Sequence, residues 1–399
     1  MNRLKKILFA AALLSSSFIL AYAGETENQD PLTDFFNRLS GKKEHATLSV
    51  AYDIDFDMNF DNRELYRSWF SRSMTIFGAR LTPSIGFQVN TSEDATHRVM
   101  VGVDVMKNFG STAGLPDHDV LEEITLYYKL EKNYRRTDIE IYAGIFPRKA
   151  IEGSYSEAFF SDSLKFYDNN LEGILLKFRR PRAYFEVGCD WMGQQGQSQR
   201  ERFMIFSSGE GKIAPLLSLG YAAYMYHYAG SYEVRGVVDN VLINPYARLD
   251  LGRRSGLQTL SFRLGWLQGL QNDRRNIGIY TFPYGGEFDF EIRNWNVGIR
   301  NMMFYGMDMM PYYNYSDAGG FKYGSQLYFG DPFYRVHDNG AKGMGTYDRF
   351  EVCWYPYVSA FLDIKVGAVF HFNDFHYSGC QQVVRLGFNL NQLTGKRRL

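Results

Sequence analysis

Apolar and polar residues alternate one by one along much of this chain. Between residues 362 and 373 every even position is apolar, while most odd positions hold Asp, Lys, Gly, His or Asn. A period of two is typical of a β-strand, because successive side chains leave opposite faces of the backbone. The alternation recurs in about sixteen stretches of roughly nine to fourteen residues, longer than most globular strands and suited to tilted membrane strands. The pattern therefore predicts an all-β chain of long strands.

The connections between these stretches alternate between long and short. Residues 147–170 and 306–346 form long odd-numbered connections, whereas residues 253–256 form a short even-numbered one. A barrel that begins and ends in the periplasm requires long outer loops and short inner turns in this order. We predict a transmembrane antiparallel up-and-down β-barrel over residues 45–399, with about 16 strands (14–18), long extracellular loops and short periplasmic turns. The upper bound comes from residues 325–336, which read as a further strand.

The first 23 residues have the features of a secretory signal peptide. Cations precede an apolar run that closes in Ala21 and Ala23, a small-x-small cleavage signal. We predict cleavage after Ala23, followed by a periplasmic N-terminal segment over residues 24–44. No later stretch contains the roughly 20 apolar residues that a transmembrane helix needs. The sequence therefore predicts a protein of the bacterial outer membrane in a Gram-negative cell, surrounded by lipid.

Composition excludes several other classes of protein. Lys plus Arg and Asp plus Glu both number 44, which gives no basic footprint for nucleic acid. Cys189, Cys353 and Cys380 are widely separated and indicate neither a disulfide framework nor a metal knot. The 29 Tyr and 32 Phe residues suit the aromatic girdles of a membrane barrel.

Charged residues occupy the polar register of the predicted strands, which would line a lumen. These candidate lumen and selectivity residues are Arg80, Asp104, Glu123, Lys129, Glu140, Arg248, Asp250, Arg263, Arg293, Arg349, Glu351, Asp363, Lys365 and Arg385. Both signs occur along the wall, which suits small hydrophilic solutes, whereas a pore for anions needs a basic ring or ladder. The alternative is that these charges only solvate the lumen and pair across strands.

The third outer loop is the candidate constriction of this lumen. Its aromatic and charged candidates are Phe159, Phe160, Asp162, Lys165, Tyr167 and Asp168. The loop is too long for a hairpin and either folds inward or packs across the rim against a neighbouring subunit. The last long loop is rich in Tyr, Phe, Asp and Gly, which favours either a carbohydrate surface or an ordinary packed loop.

The signal peptide, the sixteen alternating strands and the long third loop together resemble the bacterial outer-membrane porins, over essentially the whole mature chain. The resemblance implies passive diffusion of small hydrophilic solutes, including sugars or oligosaccharides, and a possible homotrimer. Many such barrels end in an aromatic residue, whereas here Phe388 is followed by a polar tail. No catalytic constellation stands out, so we expect a protein that is not an enzyme.

Two other classes of function stay open. A binding or adhesive barrel would act through its Tyr-rich surface loops. An enzyme would carry its chemistry on the rim or lipid face. The candidate groups for an enzyme are His118 with Asp119, His337 with Asp338, and His371 with Asp374 and His376.

We expect no metal and no cofactor. Asp53, Asp55 and Asp57 share one strand face, but alternate residues stand roughly 6.6 Å apart, too far for one strand to chelate a single ion unaided.

Overall fold

A computed structural model describes residues 47–66, 68, 71–92, 94–110, 120–316, 320–336, 343–359 and 361–390. The predicted signal peptide and periplasmic segment lie outside these residues and stay predictions. Among the described helices, none is both long and apolar enough to cross a membrane.

Sixteen antiparallel strands close into a barrel, in which each strand pairs with its neighbours in sequence and the first pairs with the last. The strands are β1 (Thr47–Leu65), β2 (Met74–Ser92), β3 (Ala95–Asn108), β4 (Leu121–Tyr134), β5 (Thr137–Pro147), β6 (Asn170–Arg180), β7 (Ala183–Gly193), β8 (Arg202–Lys212), β9 (Leu217–Ala229), β10 (Val237–Asp250), β11 (Thr259–Asp273), β12 (Tyr284–Asn294), β13 (Val297–Gly306), β14 (Gly345–Val358), β15 (Leu362–Asn373) and β16 (His376–Asn389). The predicted fold class is confirmed.

The period-two pattern separates an apolar exterior from a lumen. In β15, Val366 points outward and is 37% exposed, whereas His371 points inward and is fully buried. The register carries this separation around the wall, since Asp57 lies opposite Arg80, and Arg80 lies opposite Met106. All three face the lumen.

The two ends of the barrel differ in their connections. The end where β1 finishes carries the long connections, and we call it the long-loop end; the other is the short-turn end. Arg135–Arg136 and Trp295–Asn296 make two-residue turns at the short-turn end with positive φ angles (46° and 69°, 48° and 65°). These angles fit type I′ turns, whose twist matches the flanking strands. One hairpin at the long-loop end is equally tight, at Asp374–Phe375.

The described residues include two short α-helices outside the wall strands. Helix α1 (Asp162–Tyr167) begins after Ser161, whose hydroxyl accepts a hydrogen bond from the Leu164 amide, and α2 (Gly252–Ser255) forms a turn at the short-turn end. The segment at 325–336 contains two 3₁₀ turns, Gly324–Leu327 and Pro332–Tyr334, instead of a strand. The described barrel therefore has sixteen strands, not eighteen.

Candidate functional site

All fourteen predicted lumen residues lie on the luminal register. Most of them form ion pairs: Arg80 contacts Asp104 with both side chains buried, and the Arg349–Glu351 ion pair measures 2.6 Å. Further ion pairs join Lys129 to Glu131, Lys177 to Glu140, Arg248 to Glu210, Arg263 to Glu287, Lys365 to Glu351 and Arg385 to Asp162. Most charged side chains of the wall are therefore paired with a side chain of opposite charge.

Loop 3, residues 148–169 between β5 and β6, crosses the lumen. Phe159 is fully buried and its ring lies 5.4 Å from that of Tyr224 in β9. Asp162 bonds to Arg385 of β16 at 2.7 Å, so the loop reaches from one side of the wall to the other. Burial alone would raise the pKa of Glu157, but Arg300 and Arg349 outweigh it and hold that pKa at about 2.

The other predicted constriction residues lie along the same path. Phe160 is buried against Phe206, and Lys165 pairs with Asp162 at 3.5 Å. The Tyr167 carbonyl accepts a hydrogen bond from Arg80 at 3.1 Å. Asp168 pairs with Arg148 at 2.8 Å. Loop 3 is therefore fixed to the wall by charged contacts at several points.

Loop 7 connects β13 and β14 over residues 307–344, and its segment 320–336 packs onto loop 3 inside the barrel. The amide of Asp331 donates to the Glu157 carbonyl at 2.7 Å, and the amide of Ser161 donates to the Phe329 carbonyl at 2.9 Å. Burial raises the pKa of Asp331 to about 7. Together the two loops form a plug of aromatic residues within the long-loop half of the lumen.

A polar cavity of about 550 Å³ lies under this plug, in the short-turn half of the lumen. Ser154 and Tyr155 of loop 3 form part of its lining. Its wall carries both signs, including Arg248, Asp289 and Lys365. The cavity can accommodate water and small polar solutes.

The predicted cluster of His371, Asp374 and His376 does not converge. His371 points into the lumen, where its ring nitrogens hydrogen-bond Tyr347 and Gln381, both at 2.9 Å. Asp374 accepts from the Thr346 amide, and His376 lies exposed in the turn. His118 with Asp119 and His337 with Asp338 lie outside the described residues. Within the described residues, no group of three or more His, Cys, Asp or Glu side chains is placed to hold a metal ion.

A second histidine lies on the outer face of the wall at the long-loop end. His227 of β9 pairs in register with Asp239 of β10, which pairs in turn with Asn272 of β11. Asp239 accepts two hydrogen bonds from Arg274, at 2.7 and 2.9 Å, and one from Tyr280 at 3.1 Å. We call these five residues the His227 patch.

The His227 patch combines a base with hydrogen-bond donors. Burial and the Asp239 carboxylate raise the pKa of Tyr280, so its hydroxyl stays a donor. The side-chain oxygen of Asn272 is buried and has no hydrogen-bond partner among the described residues. Imidazole can take a proton from water, and guanidinium and phenol groups can stabilise a developing oxyanion.

Aromatic rings hold the imidazole in place from one side. Phe203 stacks on His227 with ring centroids 4.8 Å apart, and Trp191 stacks on Phe203 at 5.5 Å. Two residues closer to the short-turn end, the same face carries Met225 and Val241. The His227 patch thus lies at the edge of the apolar band that is nearer the long-loop end. Aromatic girdles of membrane barrels lie at such edges, where the membrane meets water.

Another polar group lies on the outer face near β1, β2 and β16. Asn62 donates to Glu64 at 3.1 Å and accepts from Thr75 at 2.7 Å, and it also bonds to Gln382. These side chains bond mainly with one another. The described part of this group contains no histidine.

Sequence reasoning missed the His227 patch for two reasons. Asp239 lies near the start of β10 at Val237, and the alternation of apolar and polar residues does not define where a strand begins. The candidate groups for an enzyme were His and Asp residues close together in the sequence, whereas His227 has Asp239 beside it on another strand. A titratable residue on the lipid-facing register is costly there and therefore indicates a site.

Comparison with solved structures defines the class of protein. A loop-deletion mutant of OmpT, an outer membrane protein of Vibrio cholerae, is similar at a TM-score of 0.52 and 8% identity, over 86% of this chain and 99% of that one. In-vitro folded OmpT is similar at a TM-score of 0.50 and 7% identity, over 86% and 97%. The protein has the fold of the bacterial outer-membrane barrels, and its predicted location is confirmed.

The family follows from a second comparison. The model of the family described as "Lipid A 3'-O-deacylase-type" matches residues 43–321, well over half of the chain, and the chain belongs to this family. A search of curated proteins finds no match. Because the family is one of deacylases, the expectation that the protein is not an enzyme is wrong. That expectation depended on the lack of a catalytic constellation in the sequence.

Proposed function

We propose that this barrel hydrolyses an O-acyl ester of lipid A, the glycolipid named in its family, at the His227 patch. The observation that carries the proposal is the placement of His227 beside Asp239 on the lipid-facing wall, at the upper edge of the apolar band. An ester in the outer leaflet lies at this level, with its sugar outside and its acyl chain within the membrane. The whole patch also falls within the residues that the family matches.

His227 would act as the general base. It takes a proton from water while the water oxygen attacks the ester carbonyl carbon. The protonated imidazole then returns this proton to the sugar oxygen as the carbon–oxygen bond breaks. The products are a fatty acid and a sugar hydroxyl, so no other reactant is required. The stack of Phe203 on His227 limits rotation of the imidazole during these steps.

The neighbouring residues would hold the transition state and the acyl chain. Arg274 has a side chain that is 56% exposed and supplies positive charge near the carbonyl oxygen, together with the Tyr280 hydroxyl. Met225 and Val241 offer apolar contact to the acyl chain.

The test is incubation of the purified full chain with lipid A in detergent micelles, followed by mass spectrometry of the lipid and measurement of released fatty acid. We expect loss of one acyl chain, and a rate about 10²–10⁴-fold lower for His227→Asn. His376→Asn, which alters an exposed turn histidine, is the matched control and keeps the wild-type rate. A folded wild-type protein that releases no fatty acid would refute the proposal. A His227→Asn variant with the wild-type rate would remove the reaction from this patch.

Passive diffusion of small hydrophilic solutes is the second candidate. The mixed-charge cavity of about 550 Å³ supports it, as do the charged wall residues with Arg293 stacked over Tyr355 at 3.8 Å. Conductance in a planar bilayer tests it, with added oligosaccharides as blockers. Steady open steps that widen when Glu157→Gln weakens the ion pair of loop 3 with Arg300 are the expected result. A folded barrel without conductance argues against diffusion and leaves ester hydrolysis unaffected.

A further inference from the structure

A second cleft opens at the long-loop end, above the strand ends that carry the His227 patch. It has a volume of about 220 Å³, and its lining includes Arg200, Arg235, Arg275, Tyr228 and Tyr323. The segments that form it come from different outer loops together with the ends of β9, β10 and β11. We call it the arginine cleft.

The arginine cleft combines cations with an aromatic surface. The Arg200 guanidinium lies 5.3 Å from the ring centre of Tyr228 and 5.7 Å from that of Tyr323. These two rings stack with centroids 6.1 Å apart. Arginines suit the oxygens of a phosphate, and stacked aromatic rings suit the face of a sugar.

Hydrogen bonds from its surroundings occupy the Asp273 carboxylate in this cleft. It accepts from the Tyr323 hydroxyl, from the Asn276 side chain at 2.8 Å and from the Arg275 amide at 3.1 Å. Burial alone would raise the pKa of Asp273, but these bonds lower it and occupy the carboxylate oxygens, while Arg235 and Arg275 are exposed at the mouth. Glu233 also lines the cleft, so its three arginines face two carboxylates and the cleft keeps a surplus of positive charge.

The arginine cleft and the His227 patch share three strand ends. Tyr228 follows His227 in β9, and Asp273 follows Asn272 in β11. Because successive residues of a strand point to opposite faces, the cleft lies on the inner side of the same wall segment whose outer side carries the patch. A molecule that reaches over the rim can contact both.

We propose that the arginine cleft binds a phosphate group carried on the sugar of the glycolipid whose ester lies at the His227 patch. This inference rests on the proposed function, because it assigns the head group of the same substrate. The acyl ester lies against the outer wall, and the sugar that projects from the membrane continues over the rim to the arginines. The cleft thereby aligns the ester with His227.

The test measures binding of lipid A by the full chain in detergent micelles, using native lipid A and lipid A from which phosphatase has removed the phosphates. All titrations use the His227→Asn background, so that hydrolysis does not alter the ligand. The double variant R235Q/R275Q removes two cleft cations. The matched control R253Q/R254Q removes two exposed arginines from the short-turn end. Inorganic phosphate and glucose 1-phosphate serve as soluble competitors.

We expect R235Q/R275Q to weaken binding of native lipid A about tenfold or more, since each arginine can donate charge-assisted hydrogen bonds. R253Q/R254Q should bind like the parent, and dephosphorylated lipid A should bind the parent as weakly as native lipid A binds the double variant. Unchanged binding by R235Q/R275Q would overturn the proposal. If inorganic phosphate displaced lipid A as effectively as glucose 1-phosphate does, the assignment to a sugar head group would be overturned.

Failure of the proposed function has a different signature. Suppose that the wild-type protein releases no fatty acid but R235Q/R275Q still weakens binding of phosphorylated lipid A. The proposed hydrolysis is then refuted, and the proposed phosphate binding in the arginine cleft is supported.

Discussion

Two histidines on opposite sides of the barrel wall illustrate how surroundings decide the role of one residue type. His371 lies inside, fully buried, with both ring nitrogens hydrogen-bonded and Phe333 stacked 4.2 Å away. His227 lies outside and is half-buried, between Phe203, which stacks on it, and Asp239 of the next strand. A fully bonded imidazole contributes to stability, whereas an accessible imidazole beside a carboxylate can transfer protons. Sequence reasoning singled out the first and overlooked the second.

The largest expected effect is on the inner histidine. His371→Ala removes both hydrogen bonds and the stacking contact, and leaves Tyr347 and Gln381 with unpaired groups. We expect the free energy of unfolding to fall by about 2–4 kcal/mol. Urea unfolding in detergent micelles measures this change. The rate of ester hydrolysis per folded molecule should stay at the wild-type value, and a loss of rate without a loss of stability would contradict the comparison.

The carboxylate beside the outer histidine gives the next effect. Asp239→Asn keeps the shape of the side chain but removes one of the two carboxylate oxygens that accept hydrogen bonds from Arg274 and Tyr280, so these two donors are held less firmly beside His227. We expect hydrolysis to slow by about tenfold at constant substrate. Fatty-acid release measures this rate. Asp138→Asn, at the short-turn end, is the control and should have no effect; an equal loss there would point to a general effect of charge.

The plug provides a comparison that depends on pH. Burial raises the pKa of Asp331 from 3.8 to about 7, so the folded protein retains a proton that the unfolded chain has lost. Stability should therefore fall as pH rises from about 4 to 7 and stay at its lower value above 7. Asp331→Asn keeps an acceptor for the Phe333 amide and should stabilise the protein by on the order of 1 kcal/mol at pH 8, with little effect at pH 4. Thermal unfolding at both pH values checks this, and an equal gain at both would contradict it.

The smallest expected effect is the change in stability when the outer histidine is replaced. His227→Asn should change the free energy of unfolding by less than about 0.5 kcal/mol, because it lies on the outer surface of the wall. The same urea unfolding experiment measures it. A large loss of stability would mean that His227, like His371, is a structural residue.

The sequence was sufficient for the fold because the period-two pattern and the alternation of loop lengths are both direct consequences of a membrane barrel. Val366 and His371 confirm the predicted alternation, since the first faces outward and the second faces inward. The strand ends were less predictable. β10 starts at Val237 because ladder hydrogen bonds with β9 and β11 continue past the apolar band.

The site was not predictable from local pattern for a physical reason. His227, Asp239 and Asn272 come from three strands, and only the register of the closed sheet places them side by side. The pairing of loop 3 with loop 7 likewise depends on closure. The aromatic content of loop 3 was visible in the sequence, but its partners Phe329 and Asp331 were not.

The contact between loop 3 and loop 7 also has a consequence for folding kinetics. The bonds from Ser161 to Phe329 and from Asp331 to Glu157 join segments that are separated by eight strands along the chain. Closing such a long loop costs more conformational entropy than closing a hairpin, so we expect these contacts to form late, after the intervening hairpins. The wall can therefore assemble hairpin by hairpin around an empty lumen, and the plug docks as one of the last steps on the way to the native barrel.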